Sequence, residues 1–93
     1  MIRSFSDKET ERIWDGVASR RLPREMQDTA RRKLRLINNA HSSEDLRIPP
    51  GNRLEALKGD LAGLMSIRIN DQWRIVFRWI EGDAHDVRIT DYH

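Results

Sequence analysis

At 93 residues the chain can build one hydrophobic core and not two, and a domain of this size buries only about 60–65% of the surface its unfolded chain exposes. The absence of cysteine excludes disulfides, thiolate metal sites and cysteine nucleophiles, and no stretch nears the roughly 20 apolar residues of a membrane helix. Lys and Arg total 17 against 15 Asp and Glu, a net charge of +2 whose distribution says more than its size. Acids gather at 7–15, whereas bases gather at Arg20, Arg21, Arg24, Arg31, Arg32, Lys33 and Arg35, a segregation that points to a nucleic acid or an acidic protein partner. The charged N-terminal segment has no apolar run of signal-peptide length, so a single domain over 1–93, cytoplasmic and without membrane contact, is expected.

Met1–Phe5, with Ile2 and Phe5 apolar, predicts a short edge strand beside the later strands. Ser6 with Glu9 three residues on forms a capping box that predicts a helix to about Val17, with Ile13, Val17 and Trp14 on its apolar stripe and Gly16 weakening its end. Pro23 suits the first position of a second, longer helix. Met26, Ala30, Leu34 and Ile37 recur there at helical spacing, and Leu36 and Ala40 widen the stripe. Its polar face carries Arg24, Arg31, Arg32 and Arg35, which read first as ordinary helix-surface arginines and second as contacts to RNA or the ribosome. Ser42 or Ser43 can cap a single turn through Asp45 and Leu46, and Pro49-Pro50-Gly51-Asn52 forbids regular structure. A short strand over Leu54–Leu57 follows.

From Met65 onward the period is two. Met65, Ile67 and Ile69, then Trp73, Ile75, Phe77 and Trp79, predict two antiparallel strands joined by Asn70-Asp71-Gln72, with the aromatic residues in the core. A third strand over Ala84–Thr90 carries Val87 and Ile89, with His85 on their parity as a structural residue at an edge. The opposite parity carries Arg68, Arg74, Arg78 and Arg88. Four guanidinium groups on one sheet face repel one another, and a polyanion relieves that repulsion. The helices are expected on the apolar face, giving an α+β domain with an antiparallel sheet.

The missing motifs narrow the chemistry. The glycines fit neither a P-loop nor a dinucleotide fingerprint, Ser66 lacks the surroundings of a hydrolase nucleophile, and His41, His85 and His93 lack ligand spacing, so neither cofactor nor metal is expected. What remains is Asp91-Tyr92-His93 beside the arginine face. A terminal histidine and tyrosine are compatible with a solvated tail; they are also suited to proton transfer and base stacking. In RNA cleavage the internal 2′-OH can be the nucleophile, so a protein need supply only a base, an acid and cations around the phosphorane.

Asn52-Arg53-Leu54-Glu55-Ala56-Leu57-Lys58-Gly59-Asp60, then Ser66-Ile67-Arg68-Ile69-Asn70-Asp71-Gln72-Trp73-Arg74-Ile75, then Asp91-Tyr92-His93, closely resemble the HigB-type toxins of bacterial toxin–antitoxin systems, within the RelE/ParE superfamily. The likeness covers essentially the whole chain, including Met1-Ile2-Arg3-Ser4-Phe5. It implies a RelE-like, microbial-RNase-type fold and metal-independent cleavage of messenger RNA in the decoding site of the 70S ribosome. It implies as well a cognate helix-turn-helix antitoxin of the HigA type, with operator DNA bound only through the toxin–antitoxin complex. On the same likeness His93 carries proton transfer, Tyr92 stacks on a base or contacts phosphate, Asp91 orients, and Arg74 is the main phosphate-neutralising residue, with Arg68 and Lys58 weaker. From the basic sheet and helix faces themselves, Arg78, Arg88, Arg31 and Arg32 join Lys58 as expected RNA-binding residues. Some family members have a histidine in the pocket where the Leu-x-x-Leu-Lys-Gly segment here supplies Glu55, which makes Glu55 a secondary proton-transfer candidate. The superfamily also includes DNA gyrase inhibitors, and a basic face fits that target; the terminal Asp-Tyr-His favours the ribonuclease.

Overall fold

In the computed structural model, which describes residues 1–91, helices α1 (Lys8–Trp14) and α2 (Arg24–Asn39) pack on one face of an antiparallel sheet. The strands are β1 (Glu55–Ala56), β2 (Leu64–Arg68), β3 (Trp73–Ile80) and β4 (Asp83–Asp91), and they stand side by side in chain order. Short polar turns dictate that order. Asn70 Oδ1 accepts from the backbone N–H groups of Gln72 (2.9 Å) and Trp73 (2.8 Å), closing the β2–β3 turn, while Glu81 and Gly82, at φ of 49° and 84°, close the next. The α+β class expected from periodicity is the class observed.

The core forms where the two periods meet. Met26, Ala30, Leu34 and Ile37 of α2 are fully or almost fully buried against Ile67, Ile75, Phe77, Ala84 and Val87 of the sheet. Each large apolar side chain so buried contributes about 1.5–3 kcal/mol. Trp73 and Trp79 are only half-buried at the margin, where Trp79 meets Phe77 edge-on at 6.3 Å. Leu36 and Val17, expected on apolar stripes, are exposed. Val17 lies beyond the end of α1, which stops at Trp14 before Gly16 turns the chain at φ 83°.

Several boundaries shift. Asp7 rather than Ser6 caps α1, its carboxylate accepting from the Thr10 N–H at 2.7 Å, because Ser6 Oγ is already donating to the Asp86 carbonyl at 2.8 Å. Glu9 accepts from Ser19 Oγ at 2.6 Å instead of closing a capping box. Pro23 is the N-cap of α2, one residue before the expected place. Ser42 precedes a 3-10 turn over Ser43–Arg47, and the short strand after the prolines is reduced to Glu55–Ala56. Met1–Phe5 does run along the outer edge of β4, but through two isolated parallel bridges, Ile2 with Ala84 and Phe5 with Val87, rather than as a strand. Thr10 Oγ1 covers the next free donor of that edge, the Ile89 N–H, at 2.8 Å.

His85 lies on the sheet face opposite the one that its parity with Val87 and Ile89 implies. β4 holds an extra residue between the pairs Val76–Arg88 and Arg78–His85, and Asp86 takes it up at φ 54°. Alternation therefore flips at Asp86: Ala84 enters the core, and His85 moves to the face of Arg78.

Asp83 clamps the N-terminal segment to β4, lying 3.0 Å from Arg3 Nε and 3.2 Å from the terminal ammonium. The Arg3 hydrogen bond first, then that of the ammonium, lowers the Asp83 pKa below the usual aspartate range. A lowered carboxyl pKa favours the fold above the unfolded-state value of about 3.9, and that contribution is lost as pH falls through the lower folded-state value. Asp83→Asn is thus expected to be less stable than wild type near neutral pH, with the gap between urea midpoints closing in strong acid. A gap that stays constant down through the acid range contradicts the clamp.

Candidate active site

The sheet face turned away from the helices is the arginine face. Strand pairing sets Arg68 of β2 directly across from Arg74 of β3, and puts Glu55 opposite Ser66, Arg78 opposite Leu64, Arg88 opposite Val76 and Thr90 opposite Arg74. All four predicted sheet arginines therefore share the face. Like charges directly across from one another are unfavourable, and local partners draw the Arg68 and Arg74 heads apart. Arg68 turns to the exposed Asp71 carboxylate. Arg74 turns the other way, toward β1.

Arg74 is not a solvated surface cation; only 4% of it is exposed. Its Nε donates to Ser66 Oγ at 2.8 Å, and its NH2 group donates to the carbonyl of Arg53 at 2.5 Å and to that of Ser66 at 3.3 Å. The Glu55 carboxylate stands 4.0 Å from the same nitrogen. A planar guanidinium held by acceptors on two sides keeps one orientation, which a lysine cannot reproduce. Arg53 presents its carbonyl from a left-handed backbone conformation, φ 45° and ψ 58°, at the end of a 3-10 turn over Pro50–Asn52.

Arg53, Arg68, Asn70, Asp71 and Arg74 line an open cleft of about 280 Å³. Three guanidinium groups against the Asp71 carboxylate in the lining and the Glu55 carboxylate beside Arg74 leave it net positive, a place for an anion. Fixed cations in such a cleft stabilise charge that develops on a reacting phosphate without reorganising as it forms.

The remaining expected residues are spread out. Asp91 ends β4 on the rung of Trp73, next to the Arg74–Thr90 rung, and accepts from Gln72 Nε2 at 3.0 Å. Tyr92 and His93 lie outside the described residues. Arg78 and Arg88 are half-buried farther along the same face, and the exposed Lys58 sits just past β1; none of these three lines the cleft. Arg31 and Arg32 are on α2, behind the sheet. Arg31 Nε is engaged with the Ile13 carbonyl at 2.9 Å, tying α2 to the end of α1, while Arg32 is exposed and donates to Thr29 Oγ1 at 3.2 Å. Nothing in the sequence pattern assigns a role to Arg53, Ser66 or Asn70. Ser66 shares the parity of Arg68, so a hydroxyl on this face was legible in the alternation, whereas the backbone turn that brings in Arg53 was not.

A family profile described as RelE-like toxin of type II toxin–antitoxin system HigB matches residues 3–93. Toxin HigB-1 of Vibrio cholerae is 42% identical over 85 residues, covering 90% of each chain. Endoribonuclease HigB of Proteus vulgaris is 32% identical over 93 residues, covering 100% of each. Among solved structures, a variant of YafQ from E. coli matches with a TM-score of 0.64 at 11% identity over 98% of this chain and 93% of that one, a likeness of fold.

Proposed function

The chain belongs to the HigB-like family of RelE-like toxins of type II toxin–antitoxin systems, and from that premise we propose that it is an endoribonuclease that cuts messenger RNA during translation. Membership in a type II system implies an antitoxin partner. The observation that carries the catalytic reading is the cleft, which a buried, pre-aimed Arg74 lines together with Arg68 and Arg53. The substrate's own 2′-OH attacks the adjacent phosphorus, the 5′ oxygen of the next nucleotide leaves, and the products carry a 2′,3′-cyclic phosphate and a 5′-OH. Arg74 and Arg68 hold the phosphorane. His93 transfers the proton, Tyr92 stacks on a base, Asp91 orients the terminal motif, and Glu55 is the secondary proton-transfer group. Lys58, Arg78 and Arg88 extend the track for the RNA backbone. No helix among the described residues is long and apolar enough to cross a membrane, and action on the 70S ribosome places the protein in the cytoplasm. A helix-turn-helix antitoxin of the HigA type neutralises it and brings the pair to operator DNA.

The test is end-mapping of a defined messenger RNA with and without programmed ribosomes, beside a gyrase supercoiling assay. New 5′-OH ends inside the reading frame that require ribosomes are expected, with supercoiling unaffected. Intact RNA with inhibited supercoiling transfers the assignment to gyrase inhibition.

Arg53 gives a result of mixed sign. Glycine adopts the left-handed conformation of this position without the cost of about 1–2 kcal/mol that it imposes on other residues, so Arg53→Gly is expected to gain about 0.5–1 kcal/mol in urea unfolding. The same change removes a guanidinium from the cleft, so affinity for single-stranded RNA falls and the slope of log K against log salt becomes shallower by about 0.7. Unaltered salt dependence places Arg53 outside the RNA path.

A further inference from the structure

Behind the cleft, one buried side chain joins three segments of the chain. Asn52 is fully buried, and its Nδ2 donates to the carbonyls of Leu46 at 3.1 Å and Ile48 at 3.3 Å. Its Oδ1 accepts from Lys33 Nζ of α2. Its backbone belongs to the turn whose N–H groups close onto Pro49 (2.9 Å, from Asn52) and Pro50 (3.1 Å, from Arg53). The next carbonyl along is that of Arg53, the acceptor of the Arg74 guanidinium.

A buried primary amide is costly unless its donors and acceptor are all used, and here each of them is. Lys33 supplies the bond that completes Asn52, from a position where its charge is not welcome. Burial first, then the nearby Arg32 and Arg68 guanidinium groups, lowers the Lys33 pKa below the ordinary lysine range. Among the described residues no carboxylate makes an ion pair with it. An uncharged helix-surface residue avoids that electrostatic cost, so the hydrogen bond to the Asn52 Oδ1 is what the lysine provides.

We propose that Lys33 and Asn52 are a positioning pair for the candidate active site: together they hold the Pro50–Arg53 turn, and with it the carbonyl on which Arg74 is aimed. The inference rests on the ribonuclease reading for its kinetic consequence, though not for its structural one. Lys33 touches no RNA in this scheme and acts through Asn52, Arg53 and Arg74. Helix α2 thereby governs the geometry of a cleft on the far side of the sheet.

The experiment compares wild type, Lys33→Met, Lys33→Arg, Arg74→Lys and the Lys33→Met/Arg74→Lys double variant, each checked for folding by circular dichroism. Lys33→Met is expected to lower kcat about tenfold with KM within about twofold, as slight misplacement of a group that stabilises the transition state does. Lys33→Arg, which can also donate to Asn52, recovers most of the rate. RNA affinity keeps its wild-type salt slope, and Lys33→Met costs nothing further in the Arg74→Lys background. A readout free of RNA accompanies the kinetics: the Arg74 Nε–H, held by Ser66, exchanges with water about tenfold faster in Lys33→Met by NMR. Unchanged exchange overturns the pairing whether or not RNA is cut, and wild type that cuts no RNA overturns the ribonuclease reading alone. A loss confined to RNA affinity with a shallower salt slope, or an equal loss in both Arg74 backgrounds, makes Lys33 something other than a positioning residue.

Discussion

Arg74→Met is expected to lower the rate of RNA cleavage by roughly 10²–10³-fold, the scale on which removal of one pre-aimed charge-stabilising donor is felt. The basis is how the guanidinium is held. Ser66 Oγ, the Ser66 carbonyl and the Arg53 carbonyl fix it within the cleft before substrate arrives, so its stabilisation of the phosphorane costs little ordering. The stability effect is smaller. Methionine leaves the two carbonyls and the hydroxyl without their donor, for a loss of about 1–2 kcal/mol, while relief of the Arg68–Arg74 opposition returns part of it. Arg74→Lys keeps the charge but cannot bond to Ser66 and Arg53 together, so it restores binding more than rate. The measurements are single-turnover cleavage and urea unfolding of the same samples; a rate within threefold of wild type for Arg74→Met removes this residue from the mechanism.

His93→Gln is expected to cost about 10²–10⁴ in turnover, as loss of a general acid or base does, with RNA affinity little changed. The pH–rate profile is the more telling readout, because the limb that belongs to the imidazole disappears with it. Glu55→Ala is expected to lose about tenfold or less, since the Glu55 carboxylate is half-exposed and 4.0 Å from Arg74. Equal losses on replacing His93 and Glu55 by alanine reverse their weighting.

Much of this fold is legible in alternation and helical spacing. Ile67, Ile75, Phe77 and Val87 lie in the core as their period of two implies, and Met26, Ala30, Leu34 and Ile37 form the stripe that covers them. The arginine face is equally legible, because parity alone puts Arg68 and Arg74 on neighbouring strands facing the same way. Parity misplaces His85 because a single left-handed residue, Asp86, resets the alternation, and an aspartate in mid-strand gives no plain sign of doing so. The character of Arg74 was hidden for another reason. An arginine on an open sheet face reads as solvated, and its burial depends on a backbone carbonyl delivered by a turn 21 residues away in sequence. Lys33 and Asn52 were hidden in the same manner: one reads as helix surface, the other as part of a loop that prolines keep irregular. Arg74 and Lys33 reach partners distant in sequence, Arg53 and Asn52, and local pattern does not report such contacts.

In this mechanism the RNA supplies its own nucleophile in the arginine cleft. The most direct measurement places a single 2′-deoxy nucleotide at the mapped cleavage position of an otherwise unchanged messenger RNA on programmed ribosomes. Cleavage at that position is expected to vanish while cuts elsewhere in the same message continue, and those cuts are expected to bear 2′,3′-cyclic phosphate ends. Undiminished cleavage at the deoxy position contradicts attack by the 2′-OH and, with it, the roles given to Arg74 and His93.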